Sequence, residues 1–138
     1  MSLKNIKGAL FLAMLFLFMF SGEVIAQRVL EQVWVRVTNK MASNVVIHCK
    51  SKNNDLRIHV ISPGNSYGWG FRVNLWQTTL FFCGFYTKNG GGVYDIFKAN
   101  RDINRCPTNN TCIWDVKDDG VHGYVYDKND IWFKWKWK

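Results

Sequence analysis

HCKSKNNDLRIHVISPGNSYGWGF, residues His48 to Phe71, is the stretch on which the fold turns. Apolar alternation reaches Cys49, breaks into the charged, amide-rich run Lys50 to Asp55, and resumes over Ile58 to Ile61 before Ser62, Pro63 and Gly64. Asn and Asp side chains bond nearby backbone groups and proline fixes φ, so both interruptions predict turns between strands. Beyond them Tyr67, Trp69 and Phe71 share one face of a period-two pattern. Gly68 and Gly70 lie opposite and leave room for close backbone approach or a bulge. Strand, turn and aromatic ladder build a paired β scaffold with no obvious catalytic set.

The same period extends outward in both directions. Val33, Val35 and Val37 alternate with Trp34, Arg36 and Thr38; Asn39 to Asn44 turn the chain; Val45, Ile47 and Cys49 alternate with Val46, His48 and Lys50. Thr78 to Tyr86 is too uniformly apolar to have a wet face, which predicts a central strand. Lys88 to Gly92 reads as a hairpin loop and Val93 to Lys98 as its return. Asn100 to Thr111 is a long polar segment without strand periodicity. Alternation restarts at Cys112, Trp114 and Val116, turns at Asp118 to Gly120, and ends in Val121 to Asp127 and Ile131 to Trp137. Eight or nine short strands at this spacing, with no long amphipathic helix, predict an all-β fold: an antiparallel β-sandwich in one domain.

At the start of the chain Lys4 and Lys7 precede the apolar run Gly8 to Phe20, followed by Ser21 to Ala26 with Val24 and Ala26. That is the order of a secretory signal peptide, and the run is shorter than the roughly 20 residues a membrane-crossing helix needs. The expectation is a signal peptide over 1–26 and a domain over 27–138, with no transmembrane segment left after cleavage. Losing Lys4, Lys7 and Glu23 takes the formal charge from +8 to +7, which attracts acidic extracellular surfaces. Cys49, Cys83, Cys106 and Cys112 all remain, and an oxidising compartment makes two disulfides the expectation. Three connectivities are open; the short span between Cys106 and Cys112 leans toward bridges that join distant strands. No CxxC pair exists and the three histidines lack ligand spacing, so neither a metal nor another cofactor is expected.

A secreted basic chain with histidines invites the ribonuclease reading, which needs two imidazoles and a cation around one phosphate. His48 and His59 do flank a lysine-bearing turn. Yet His48 precedes a disulfide cysteine within a strand and His59 sits between Ile58 and Val60, so both read as hydrogen-bonded scaffold residues. GxSxG, HExxH and phosphate-binding glycine loops are missing from the sequence, and the protein is not expected to be an enzyme. The tail WFKWKWK places Phe133, Trp135 and Trp137 on one face and Trp132, Lys134, Lys136 and Lys138 on the other. That period fits a half-buried last strand whose lysines guard an edge. The rival reading is a secreted defence protein that binds anionic membranes or glycans through the tail. Asn109, Asn110 and Thr111 form a glycosylation sequon at Asn109.

Taken in order, these features resemble the plant self-incompatibility protein S1 family, the S-protein homologues. The resemblance rests on the Val-rich strand ending in Asn39, on HCKSKNNDL and His59, and on Gly64, Tyr67, Trp69 and Phe71. It continues through TLFFC at Thr79 to Cys83, Cys106, Cys112, Trp114 and DDG at Asp118 to Gly120. The chain departs from the pattern at Arg57, where a glycine usually follows the DL pair, and at His122 and Gly123, where bulkier residues are usual. The resemblance implies a small secreted plant protein acting as an extracellular signalling or recognition ligand of the pollen–pistil type. In the founding role a pistil ligand marks self pollen through a pollen surface receptor. A monomer facing a cell-surface receptor is expected, with an anionic extracellular surface second and no nucleic acid. Recognition is expected in loops that rigid strands position. The first candidates are Lys98, Asn100, Arg101, Asp102, Asn104 and Arg105; Lys50, Lys52 and Arg57 come second.

Overall fold

A computed structural model describes residues 32–106 and 110–138; the expected signal segment and Asn109 of the sequon lie outside the described residues. The strands are β1 (Gln32–Asn39), β2 (Val45–Lys50), β3 (Asp55–Ile61), β4 (Ser66–Arg72), β5 (Leu80–Thr87), β6 (Gly90–Lys98), β7 (Thr111–Lys117), β8 (Gly120–Val125) and β9 (Lys128–Lys134). A one-turn helix, α1 (Ala99–Asp102), follows β6. The strands form two sheets, ordered β4-β1-β7-β8-β9 and β3-β2-β5-β6, which is the expected sandwich. As expected, β5 lies inside its sheet between β2 and β6.

One pair breaks the expected antiparallel rule. β1 and β7 run parallel, with Val35 opposite Cys112 and Val37 opposite Trp114. A strand's period is two whichever way its neighbour runs, and both neighbours of β1 come from distant parts of the chain. No hairpin therefore sets its direction. Inward alternation holds throughout: Val35, Val37, Val45, Ile47, Phe85, Ile96, Trp114, Val116 and Val121 are solvent-free or nearly so. Each such side chain contributes roughly 1.5–3 kcal/mol by leaving water.

Asn39, buried at the end of β1, shows why the opening strand ends in an amide. Its Oδ1 accepts from the Met41 amide at 2.8 Å, and its Nδ2 donates to the carbonyls of Ser43 at 2.9 Å and Ile61 at 2.8 Å. A buried amide is tolerated only when its groups are paired in this way. On β4, Trp69 and Phe71 pack on Phe81 with ring centroids 5.6 and 4.6 Å apart, and Phe71 meets Phe97 at 4.7 Å. The opposite glycines allow the close approach expected of them: a Cβ on Gly68 would lie 2.7 Å from the Val35 carbonyl oxygen.

The disulfides join Cys49 to Cys83 and Cys106 to Cys112. The first bridge links residues directly opposite each other on β2 and β5. The second overturns the expectation that both bridges join distant strands. Its cause is the helical turn after β6, where the amides of Arg105 and Cys106 both donate to the Asp102 carbonyl. That turn folds the chain back, so the Cα atoms of Cys106 and Cys112 lie 4.8 Å apart although only six positions separate them.

Candidate functional site: the loop end of the sandwich

Strand direction sorts the connections. β1 runs from Gln32 to Asn39, with Arg72 at the end of β4 opposite Gln32, and β7 starts beside β1 at Thr111. In the other sheet Lys50 lies opposite Asp55 and Phe82, and Leu80 lies opposite Lys98. The connections 51–54, 73–79, 126–127 and the described part of the one after β6, 99–106, therefore share one end of the sandwich. Both segments proposed for recognition are brought to this end, one on either side of the start of β5.

In the Lys50 to Arg57 turn, Lys50, Lys52 and Arg57 are exposed. The Ser51 amide donates to the Asn54 carbonyl at 2.8 Å, and the Asp55 carboxylate accepts from the Arg57 amide at 2.9 Å and His48 Nε2 at 2.7 Å. The hydrogen bond from His48 holds the Asp55 carboxyl below its ordinary value. A groove of about 620 Å³ runs from this turn toward the 73–79 connection, lined by Lys52, Asn54, Phe71, Arg72, Thr78 and Phe82 among others.

The Lys98 to Arg105 segment divides in two. Lys98, Asn100 and Asn104 face solvent, whereas Asp102 is fully buried and Arg105 largely so. Asp102 accepts from the Lys98 amide at 2.8 Å, from Arg101 Nε at 2.9 Å and from Arg105 Nη1 at 2.8 Å. Arg105 also grips Asp130 through Nε and Nη2, and both guanidinium groups lie over the Trp114 ring, 5.7 and 5.8 Å from its centre. Burial disfavours the Arg105 charge, but the two carboxylates outweigh it and raise its pKa. A buried carboxylate held by two guanidinium groups is a structural device, because either charge left alone inside would be strongly destabilising. Arg101, Asp102 and Arg105 thus hold the turn that carries Cys106, and the face open to a partner narrows to Lys98, Asn100 and Asn104.

Gly123, one of the departures, belongs to this cluster: a Cβ there would meet the Trp114 ring at 2.8 Å and Arg105 at 3.0 Å. His122 is buried, stacks on Trp132, donates from Nε2 to Asp119 at 2.7 Å and accepts from Asn129.

Sequence periodicity passes over one part of this end. Leu75 and Trp76 stand exposed in the 73–79 connection, which Asn74 ties together by donating from Nδ2 to Thr78 Oγ1 and accepting from the Thr78 amide, each at 2.9 Å. The available signal is local: an apolar pair out of strand period, enclosed by Asn74, Thr78 and Thr79, side chains that close turns.

The two conspicuous histidines do not form a pair. His48 lies opposite Ile58 and His59 opposite Ile47, so they project from opposite faces of the sheet. His59 points inward, stacks on Tyr67 with ring centres 4.0 Å apart, and bonds the Leu56 carbonyl at 2.7 Å. Two imidazoles so placed cannot flank one phosphate.

These features define a small, disulfide-braced β-sandwich with polar and charged connections gathered at one end. The family model of the plant self-incompatibility protein S1 matches residues 34–137, and the chain belongs to that family of secreted plant proteins. S-protein homolog 6 of Arabidopsis thaliana is 44% identical over 92 residues, which cover 64% of this chain and 65% of that protein. Against S-protein homologs 24 and 27 of the same plant the chain spans 59% of their length. Self-incompatibility protein S1 of Papaver rhoeas is 30% identical over 102 residues, 71% of each chain. A solved self-incompatibility protein homologue, described as one of a widespread family of small, highly stable, secreted proteins from plants, superposes with a TM-score of 0.58 at 12% identity. The superposition covers 77% of this chain and 96% of that one, and it concerns the fold.

Proposed function

We propose that this protein is an extracellular signalling ligand of the self-incompatibility type, recognised by a cell-surface receptor through the loop end of the sandwich. The observation that carries this reading is the convergence of Lys50 to Arg57 with the solvent-facing residues of Lys98 to Arg105 at one end of a braced scaffold. Rigid strands hold such loops in one arrangement, which lowers the ordering cost of binding. Its action is recognition without chemistry, in keeping with the division of His48 and His59 between two faces.

The test exchanges only exposed positions, Lys52, Asn53, Lys98, Asn100 and Asn104, for the residues of a homologue, leaving Arg101, Asp102 and Arg105 in place. Labelled wild-type protein should bind a defined cell type and raise its calcium, and the exchanged protein should lose or redirect that response while melting as the wild type does. An unchanged response in a folded variant would sink the assignment to this end.

A further inference from the structure

We propose that the loop end also docks onto anionic lipid bilayers, with Leu75, Trp76 and Tyr126 seated in the interfacial layer and the surrounding basic side chains on the headgroups. Among the described residues, Trp76 (84% exposed), Tyr126 (71%) and Leu75 (61%) are three of the four most exposed large apolar side chains. All three lie in connections of the same end, 73–79 and 126–127. Scattered surface apolar residues need no account, but a concentration at one end of the molecule does.

The tip that carries Leu75 and Trp76 is built to hold its shape outside water. Besides the two Asn74–Thr78 bonds, the Asn74 amide donates to Thr79 Oγ1 at 3.0 Å and the Gln77 amide donates to the Asn74 carbonyl at 3.1 Å. Paired polar groups enter a low-dielectric layer at far smaller cost than bare ones. Gln77 and Tyr126 both have positive φ, 54° and 55°, a conformation that persists in such residues only where the surroundings impose it.

Charge complements this arrangement. Lys50, Lys52, Arg57 and Lys98 belong to the same end, where the Asp55 carboxylate is bonded by His48 and those of Asp102 and Asp130 by Arg105. Tryptophan and tyrosine are the side chains of the membrane–water interface, and clustered lysine and arginine answer anionic headgroups. The spread of the aromatics also favours a surface over a pocket. The strands that lead into the two connections, β4 before Trp76 and β8 before Tyr126, are three spacings apart in one sheet, or roughly 14 Å. An anchor for a protein pocket would instead cluster at one centre. The C-terminal lysines fit the role less well. Lys136 Nζ donates to the Val93 carbonyl at 2.8 Å, and Lys134 sits over Trp132, 4.6 Å from the ring centre.

Protein collected from the medium of secreting cells can be sedimented with vesicles of phosphatidylcholine alone or with about a third phosphatidylserine. Wild type should sediment with the mixed vesicles only, and less as salt rises. The double variant Leu75→Ser with Trp76→Ala should bind roughly tenfold more weakly, and Tyr126→Ser should weaken binding separately. Lys134→Gln with Lys136→Gln should bind as wild type. All three sites are exposed, so the variants should melt as wild type, and Tyr126→Ser keeps the test open if the double variant does not fold. Failure of wild type to sediment, or equal binding by folded tip variants, overturns the proposal. So does Trp76-dependent binding to cells without binding to vesicles, which would give the tip to a protein contact.

Discussion

Arg57 occupies a backbone position made for glycine. Its φ of 68° lies in the left-handed region, which costs a residue with a Cβ about 1–2 kcal/mol. The resemblance implies a glycine at this point of the hairpin, and the backbone there does take a conformation that glycine adopts most readily. Arg57→Gly removes the strain but adds freedom to the unfolded chain, so the net expectation is a gain of about 0.5–1 kcal/mol, read as a raised urea midpoint. A lower midpoint would mean that the Arg57 side chain contributes more than its backbone costs. Asp130 carries the second prediction at this scale. The Arg105 guanidinium bonds its carboxylate and holds its pKa below the ordinary value. A carboxyl depressed on folding adds stability above its unfolded pKa of about 3.9, and that stability is lost as pH falls through the folded value. Unfolding free energy measured from about pH 5 downward should therefore fall, and Asp130→Asn should flatten the slope. A variant with the wild-type slope would show that the pair contributes nothing to the acid response. Composition and period gave neither the positive φ of Arg57 nor the pairing of Asp130 with Arg105, because φ and a partner 25 positions away leave no local trace.

Strands proved more legible than their neighbours. The inward face of β1, the ladder on β4 and the central place of β5 follow from period and apolar content, since a one-residue slip would put every side chain on the wrong face. Pairing across long sequence separations leaves no such mark, which is why the parallel contact of β1 with β7 and the pairing of the cysteines were not readable. The bridges now separate in their expected worth. Cys49–Cys83 closes a span of 34 positions and Cys106–Cys112 one of six, so the chain-entropy model gives about 4 and about 2 kcal/mol. Replacing each pair by alanines and comparing denaturant midpoints checks the order. Should loss of Cys106–Cys112 prove the more damaging, the bridge must instead be holding the turn around Asp102, whose carboxylate is bound by two guanidinium groups.

The whole molecule is closed by its tail. β9 lies at the edge of one sheet and β6 at the edge of the other, and the chain beyond β9 crosses between them. The Gly91 amide donates to the Trp137 carbonyl at 2.9 Å, the Lys136 amide donates to the Gly91 carbonyl at 2.9 Å, and Trp135 Nε1 donates to the Asp118 carbonyl at 2.9 Å. The Tyr94 hydroxyl donates to the Lys134 carbonyl at 2.6 Å, so both edges have backbone groups occupied from within the chain. An edge strand with free backbone groups is a template for another chain, and lysine side chains and covering segments are ordinary ways to block it. The alternation WFKWKWK was readable as a last strand with an aromatic face toward the core, and Phe133 and Trp135 do pack there, whereas Trp137, expected on the same face, is exposed. Its crossing to the second sheet was not, since regular strand ends at Lys134 while the alternation runs on. Removing Trp135 to Lys138 should cost about 3 kcal/mol for the lost indole packing. It should also uncover the edge of β6 at Gly91 to Val93, so light scattering should show the truncated protein self-associating as concentration rises, with the full chain unchanged under the same conditions. A truncated protein that remained monomeric and kept the wild-type midpoint would place the closure of the sandwich elsewhere.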